Sequence, residues 1–77
     1  MRLVIYYNFS MNKVKAARLM LELKQEDLAQ KVGVTRQTIG LIESGCYNPT
    51  LNLCIKIAKE LHKTLDELFW EESYEEK

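Results

Sequence analysis

Two short apolar runs, each closed by a glycine, limit what this chain can fold into. In the stretch Gln25 to Gly45, QEDLAQKVGVTRQTIGLIESG, residues Leu28, Ala29 and Val32 fall on one side of a helix. Glu26 and Asp27 lie in its first turn, where the helix dipole favours negative charge. Gly33 stands where such a helix most readily ends in a left-handed residue. Val34 is a lone apolar residue in the turn, and Thr35 is placed to cap a further helix from Arg36 to Ser44, which Gly45 ends. Ile39 and Ile42 form the inner side of that helix, and Ala29 is small where it must pass close by. The stretch therefore reads as two short helices meeting across a turn of about four residues.

The rest of the chain is built around that pair. Ser10 or Asn12 can cap a first helix running to about Glu22, with Val14, Ala17 and Leu21 inward; Leu23 and Lys24 connect it to the next. After the loop Tyr47–Asn48–Pro49, Thr50 caps a fourth helix that turns Leu53, Ile57, Ala58 and Leu61 inward. Thr64 and Glu67 have capping-box spacing, so a short fifth helix starts there and supplies Leu65, Leu68 and Phe69. Leu3 to Phe9 are dense in β-branched and aromatic side chains and read as a strand. The segment Phe69 to Tyr74 can pair with it. The expected fold is mainly α: five helices with a short antiparallel β pairing of the N- and C-terminal segments. The expected organisation is an extension at 1–11, a helical domain at 12–69 and an acidic tail at 70–77.

Two helices joined in this way form a helix-turn-helix, which sets its second helix into the DNA major groove. The outward positions of that helix bear on this reading. They are Arg36, Gln37, Thr38, Gly40 and Leu41, where an ordinary solvated helix more often carries Glu and Lys. Arg can donate to both acceptors of guanine, Gln can pair with adenine through two bonds, and the Thr methyl suits thymine. Gly40 costs a helix interior about 1 kcal/mol against Ala, which the sequence alone explains as room for the backbone to approach the bases. Net charge is zero, but it is unevenly spread. From Asn12 to Asn48 six basic residues face four acids, whereas from Asp66 to Lys77 there are six acids and one Lys. That asymmetry permits a DNA-facing side.

The segment from about Asn12 to Phe69 resembles the phage-repressor and Cro class of helix-turn-helix domains, the xenobiotic-response-element family, most specifically in LAQKVGVTRQTI. The ending YNPTLNLCIKIAKELHKTLDELF is similar to small regulators of the cytolysin-repressor type. The resemblance implies a lambda-repressor-like DNA-binding domain that acts on double-stranded DNA as a homodimer. It implies base contacts from Arg36, Gln37, Thr38 and Leu41, and phosphate contacts from Gln25 and Thr35. It also implies backbone contacts from Ser44 and from Tyr47 or Asn48. Arg18 and Glu43 match a pair that in the family forms a partly buried salt bridge between the first and third helices. Where Lys24 stands, the family often has Ser or Thr, so the second helix is expected to lack its usual cap.

With 77 residues the chain is one small domain, hiding only roughly 60% of its unfolded surface. Dimerisation is a common way to stabilise so small a core, and Leu51, Leu53, Cys54, Leu65 and Phe69 are the candidate interface residues. Cys46, Cys54 and His62 have no metal-site spacing, and no catalytic arrangement or phosphate-cradling glycine loop is present; no enzyme activity, cofactor or metal is expected. The N-terminal apolar run is too short to cross a bilayer and lacks a small-residue cleavage site, so a cytoplasmic protein with reduced thiols is expected. The function expected is a sequence-specific transcriptional regulator, a repressor binding an inverted repeat. The alternative is an antitoxin-type protein that neutralises a partner through its acidic aromatic tail and represses its own operon.

Overall fold

A computed structural model of the chain describes residues 12–70. Five helices follow one another: α1 (Lys13–Met20), α2 (Gln25–Val32), α3 (Arg36–Glu43), α4 (Leu51–Leu61) and α5 (Leu65–Phe69). Their starts are set by short polar side chains. Asn12 Oδ1 accepts from the N–H groups of Val14 and Lys15, at 2.8 and 3.3 Å. Thr35, Thr50 and Thr64 each accept from the N–H three residues on. These bonds satisfy donors that have no earlier turn to bond to. Lys24 offers α2 no acceptor, as expected. Asp27 supplies the reciprocal half of a cap instead, accepting from Lys24 N–H at 2.9 Å.

The first four helices all stop in the same way, with one residue in the left-handed region. It is Glu22 after α1, Gly33 after α2, Gly45 after α3 and His62 after α4. In each case the next N–H reaches back to a carbonyl of the last turn: Leu23 to Arg18, Val34 to Ala29, Cys46 to Leu41 and Lys63 to Ala58. Glycine meets this need without strain at two of the four ends. At the other two the chain accepts a strained Glu and His.

One apolar cluster holds the helices together: Val14, Ala17, Leu28, Ala29, Val32, Ile39, Ile42, Leu53, Ile57, Ala58, Leu61 and Leu68. Leu23, Val34 and Phe69 pack on its margin. Helix α2 packs on α3 and α4, while α1 and α4 both rest on α5. The Lys13 ammonium donates to the Trp70 carbonyl at 3.0 Å, so the two ends of the described segment meet.

Three expectations need correction. Helix α1 ends at Met20 rather than near Glu22, because Glu22 is left-handed; Leu21 consequently lies 41% exposed instead of inward. Leu65 is likewise exposed, since a five-residue helix sends only Leu68 fully into the core. The third correction concerns the β pairing. The described residues are all helical and contain no strand. Phe69, expected to open the C-terminal strand, is the last residue of α5. The Thr64–Glu67 capping box makes both of its bonds and carries the chain helically through it. The other residues of that expectation, Leu3–Phe9 and those from Glu71 to Tyr74, lie outside the described residues.

Candidate nucleic-acid interface

Helices α2 and α3 meet through Leu28, Ala29 and Val32 on one side and Ile39 and Ile42 on the other, all buried. Between them, Gly33 and Val34 form the turn and Thr35 caps α3. With Ile39 and Ile42 turned in, the opposite side of α3 is fixed. Arg36, Gln37 and Leu41 are exposed and Thr38 is half-exposed. Thr35 Oγ1 lies 3.0 Å from Thr38 Oγ1 and accepts from Thr38 N–H, so one cap orients two hydroxyls at the helix start. Ser44, Tyr47 and Asn48 are exposed just past the other end of α3, with Ser44 Oγ donating to the Leu41 carbonyl at 3.0 Å. Of the four expected base-reading residues, Gln37 and Leu41 thus lie opposite the buried pair, with Arg36 and Thr38 flanking them on either side. Thr35 stands at the start of α3, and Ser44, Tyr47 and Asn48 at its end.

A polar network holds the inner edge of α3. Arg18 on α1 and Glu43 are both buried and share two bonds, Nε to Oε2 at 2.7 Å and Nη2 to Oε1 at 3.1 Å. The remaining Arg18 Nη1 donates to the Leu23 carbonyl at 2.7 Å. A bidentate pair with its spare donor satisfied meets the conditions for burying two charges. The pair expected from Arg18 and Glu43 is therefore present and joins α1 to the end of α3.

Two further connections were not expected from sequence. Asn12 Nδ2 donates to the Ile42 carbonyl at 3.3 Å, so the residue that caps α1 also steadies the end of α3. Gln25, at the first position of α2, donates from Nε2 to Glu43 Oε1 at 3.1 Å and accepts at Oε1 from Arg36 Nη1, also at 3.1 Å. The one sequence signal for the latter is the spacing of Arg36, Gly40 and Glu43, which puts a gap between two charges on one helical stripe.

Gly40 accordingly acquires a second neighbour besides any DNA. A Cβ built there would lie 3.8 Å from Gln25 Nε2, an ordinary contact. Gly40→Ala should therefore raise the stability of the free protein by about 1 kcal/mol through helix propensity. A thermal melt checks this, and a lower melting temperature would show that the site is tighter than its geometry indicates.

The candidate interface residues for a second copy separate into two groups. Leu53 belongs to the core, whereas Leu51 is 67% exposed and Leu65 is 37% exposed. Cys54 and Phe69 are half-buried beside them in sequence, on α4 and α5. Burial pushes the Cys54 thiol up from its ordinary value, so it stays protonated. Among the described residues no three His, Cys, Asp or Glu side chains gather as a metal site, and no helix is long and apolar enough to cross a membrane.

Comparison with known proteins agrees with this geometry. A family model described as helix-turn-helix matches residues 14–68. An uncharacterized HTH-type transcriptional regulator of Methanocaldococcus jannaschii is 50% identical over 58 residues, covering 75% of this chain and 88% of that protein. YgzD, an uncharacterized HTH-type transcriptional regulator of Bacillus subtilis, is 46% identical over 59 residues, covering 77% of this chain and 89% of its own. Among solved structures, the restriction-modification controller protein C.AhdI from Aeromonas hydrophila superimposes with a TM-score of 0.72. It is 29% identical, and the match covers 86% of this chain and 96% of that one.

Proposed function

Since the chain belongs to the helix-turn-helix family of DNA-binding transcriptional regulators, which are not enzymes, we propose that it is a repressor that reads an inverted-repeat operator as a homodimer. The observation that carries this reading is the two-sidedness of α3. Ile39 and Ile42 are buried, while Gln37 and Leu41 on the opposite side, flanked by Arg36 and Thr38, present groups suited to base edges. Gln25, Thr35, Ser44 and Tyr47 or Asn48 hold the phosphates on either side of that helix. Such contacts position the domain without reading sequence.

Two copies would meet through the exposed Leu51 and Leu65 with Cys54 and Phe69, covering apolar surface that one copy leaves in water. Their recognition helices would then enter successive major grooves roughly 34 Å apart. Repression follows from occupying a promoter, and the protein acts in the cytoplasm, where its DNA lies.

Selection of sites from random duplex DNA tests the proposal. An inverted repeat should emerge, bound with an affinity that falls steeply with salt as phosphate contacts release counterions. On the selected site, Arg36→Ala should lose about 1–3 kcal/mol and relax one base position in each half. Binding measured on the selected and on scrambled DNA decides the matter. Equal affinities for wild type and variant on both would remove Arg36 from the reading face.

A further inference from the structure

Arg36, Gly40 and Glu43 stand at i, i+4 and i+7 of α3 and form one stripe along it. The Gln25 side chain, coming from α2, lies across this stripe over the space that Gly40 leaves. Its oxygen accepts from Arg36 and its nitrogen donates to Glu43, each at 3.1 Å. A guanidinium only donates and a carboxylate only accepts. One orientation of the carboxamide therefore satisfies both neighbours. The flipped one would set nitrogen against guanidinium and oxygen against carboxylate. Glu43 cannot swing away from this arrangement, because it is buried and bonded twice to Arg18.

We infer that Glu43 is a positioning residue for Arg36, acting through Gln25. The buried carboxylate fixes the direction of the carboxamide, and the carboxamide oxygen fixes the plane of the guanidinium that meets DNA. The inference rests on the base-reading role proposed for Arg36. Arg36 reaches the interface with one N–H engaged and the others free for the guanine acceptors, so less side-chain freedom is lost on binding. Gln25 keeps one N–H for a phosphate, so positioning and phosphate contact coexist. They differ in what they do to sequence preference. Loss of a phosphate contact weakens every sequence by one factor, whereas loss of orientation erodes the preference at one base pair.

The test measures the binding of single-base variants of the selected operator. Gln25→Met leaves the Arg18–Glu43 pair intact and removes the bridge. Glu43→Gln keeps an acceptor for Arg18 but presents an amide to Gln25, turning the Gln25 nitrogen toward Arg36. Both should lose about tenfold in preference at the position read by Arg36, beyond any uniform loss. The double variant Gln25→Glu with Glu43→Gln rebuilds the chain of bonds in the reverse order and should regain that preference, even though the new carboxylate weakens binding to all DNA. A uniform loss in Gln25→Met, or no recovery in the double variant, overturns the inference. If the variants carrying Glu43→Gln do not fold, Gln25→Met decides alone. If the wild type enriches no sequence, the DNA-reading proposal itself falls. The bridge is then judged in the free protein by the Gln25 carboxamide NMR resonances, which must shift in Arg36→Ala; unmoved resonances overturn it.

Discussion

Glu43→Ala should destabilise the protein by about 3–5 kcal/mol, because it strands a buried guanidinium. The side chains of Arg18 and Glu43 are only 7% and 4% exposed. With the carboxylate gone, Arg18 keeps one bond, to the Leu23 carbonyl, and loses two. A chain of 77 residues has a total stability of about 4–12 kcal/mol at the usual value per residue, so the variant should be partly or wholly unfolded at growth temperature. Replacing both partners, as in Arg18→Met with Glu43→Leu, should recover much of the loss, since the uncompensated charge disappears. Recovery should be incomplete, because the Leu23 carbonyl and the Gln25 amide each lose a partner. Urea titrations of the three proteins measure this. A single variant within 1 kcal/mol of wild type, against the expected loss, would mean that Arg18 swings out to water at little cost.

The second large effect lies on the recognition helix itself. Ile39 is fully buried between α2 and the rest of the core, so Ile39→Ala should cost about 2–5 kcal/mol in lost burial and residual cavity. Leu41, two residues on, is 39% exposed, and its truncation should change stability by no more than about 0.5 kcal/mol. Their effects on DNA binding should be ordered differently. Leu41→Ala weakens binding with the fold intact, whereas Ile39→Ala weakens it only as far as the folded population falls. Unfolding curves and operator affinities at 10 °C, taken together, separate the two. A stable Ile39→Ala protein that no longer binds DNA would contradict the division of α3 into a buried and a reading face.

The positions of the helices and of most core residues were legible because each rests on a local rule. Periodic apolar residues gave Val14, Ala17, Leu28, Ile39, Ile57 and Leu61, and the short polar caps at Thr35, Thr50 and Thr64 gave three of the starts, while the first, open to either Ser10 or Asn12 in the sequence, is capped by Asn12. The errors arose where local rules compete. Glu22 ends the first helix in a conformation that its side chain disfavours, so nothing in the residue type announces the stop. Phe69 has a strand-like composition around it, but the capping box five residues earlier outweighs it. The bridging role of Gln25 and the bond from Asn12 to Ile42 join residues 11 to 30 positions apart. Contacts of that kind depend on how finished helices are placed, which no window of sequence contains. The Arg18–Glu43 pair was legible from family resemblance, not from residue spacing.

The attachment of Gln25 to both ends of α3 bears on how such a protein can acquire a new target. A recognition helix seated only by its apolar side is portable: its outward residues can be exchanged, or grafted onto another scaffold, and read as before. Here residue 25, outside that helix, holds residues 36 and 43 across the gap at residue 40. Retargeting this protein by transplanting α3 alone would carry the letters without their alignment. The unit that has to be inherited or engineered together is the set of three, at positions 25, 36 and 43.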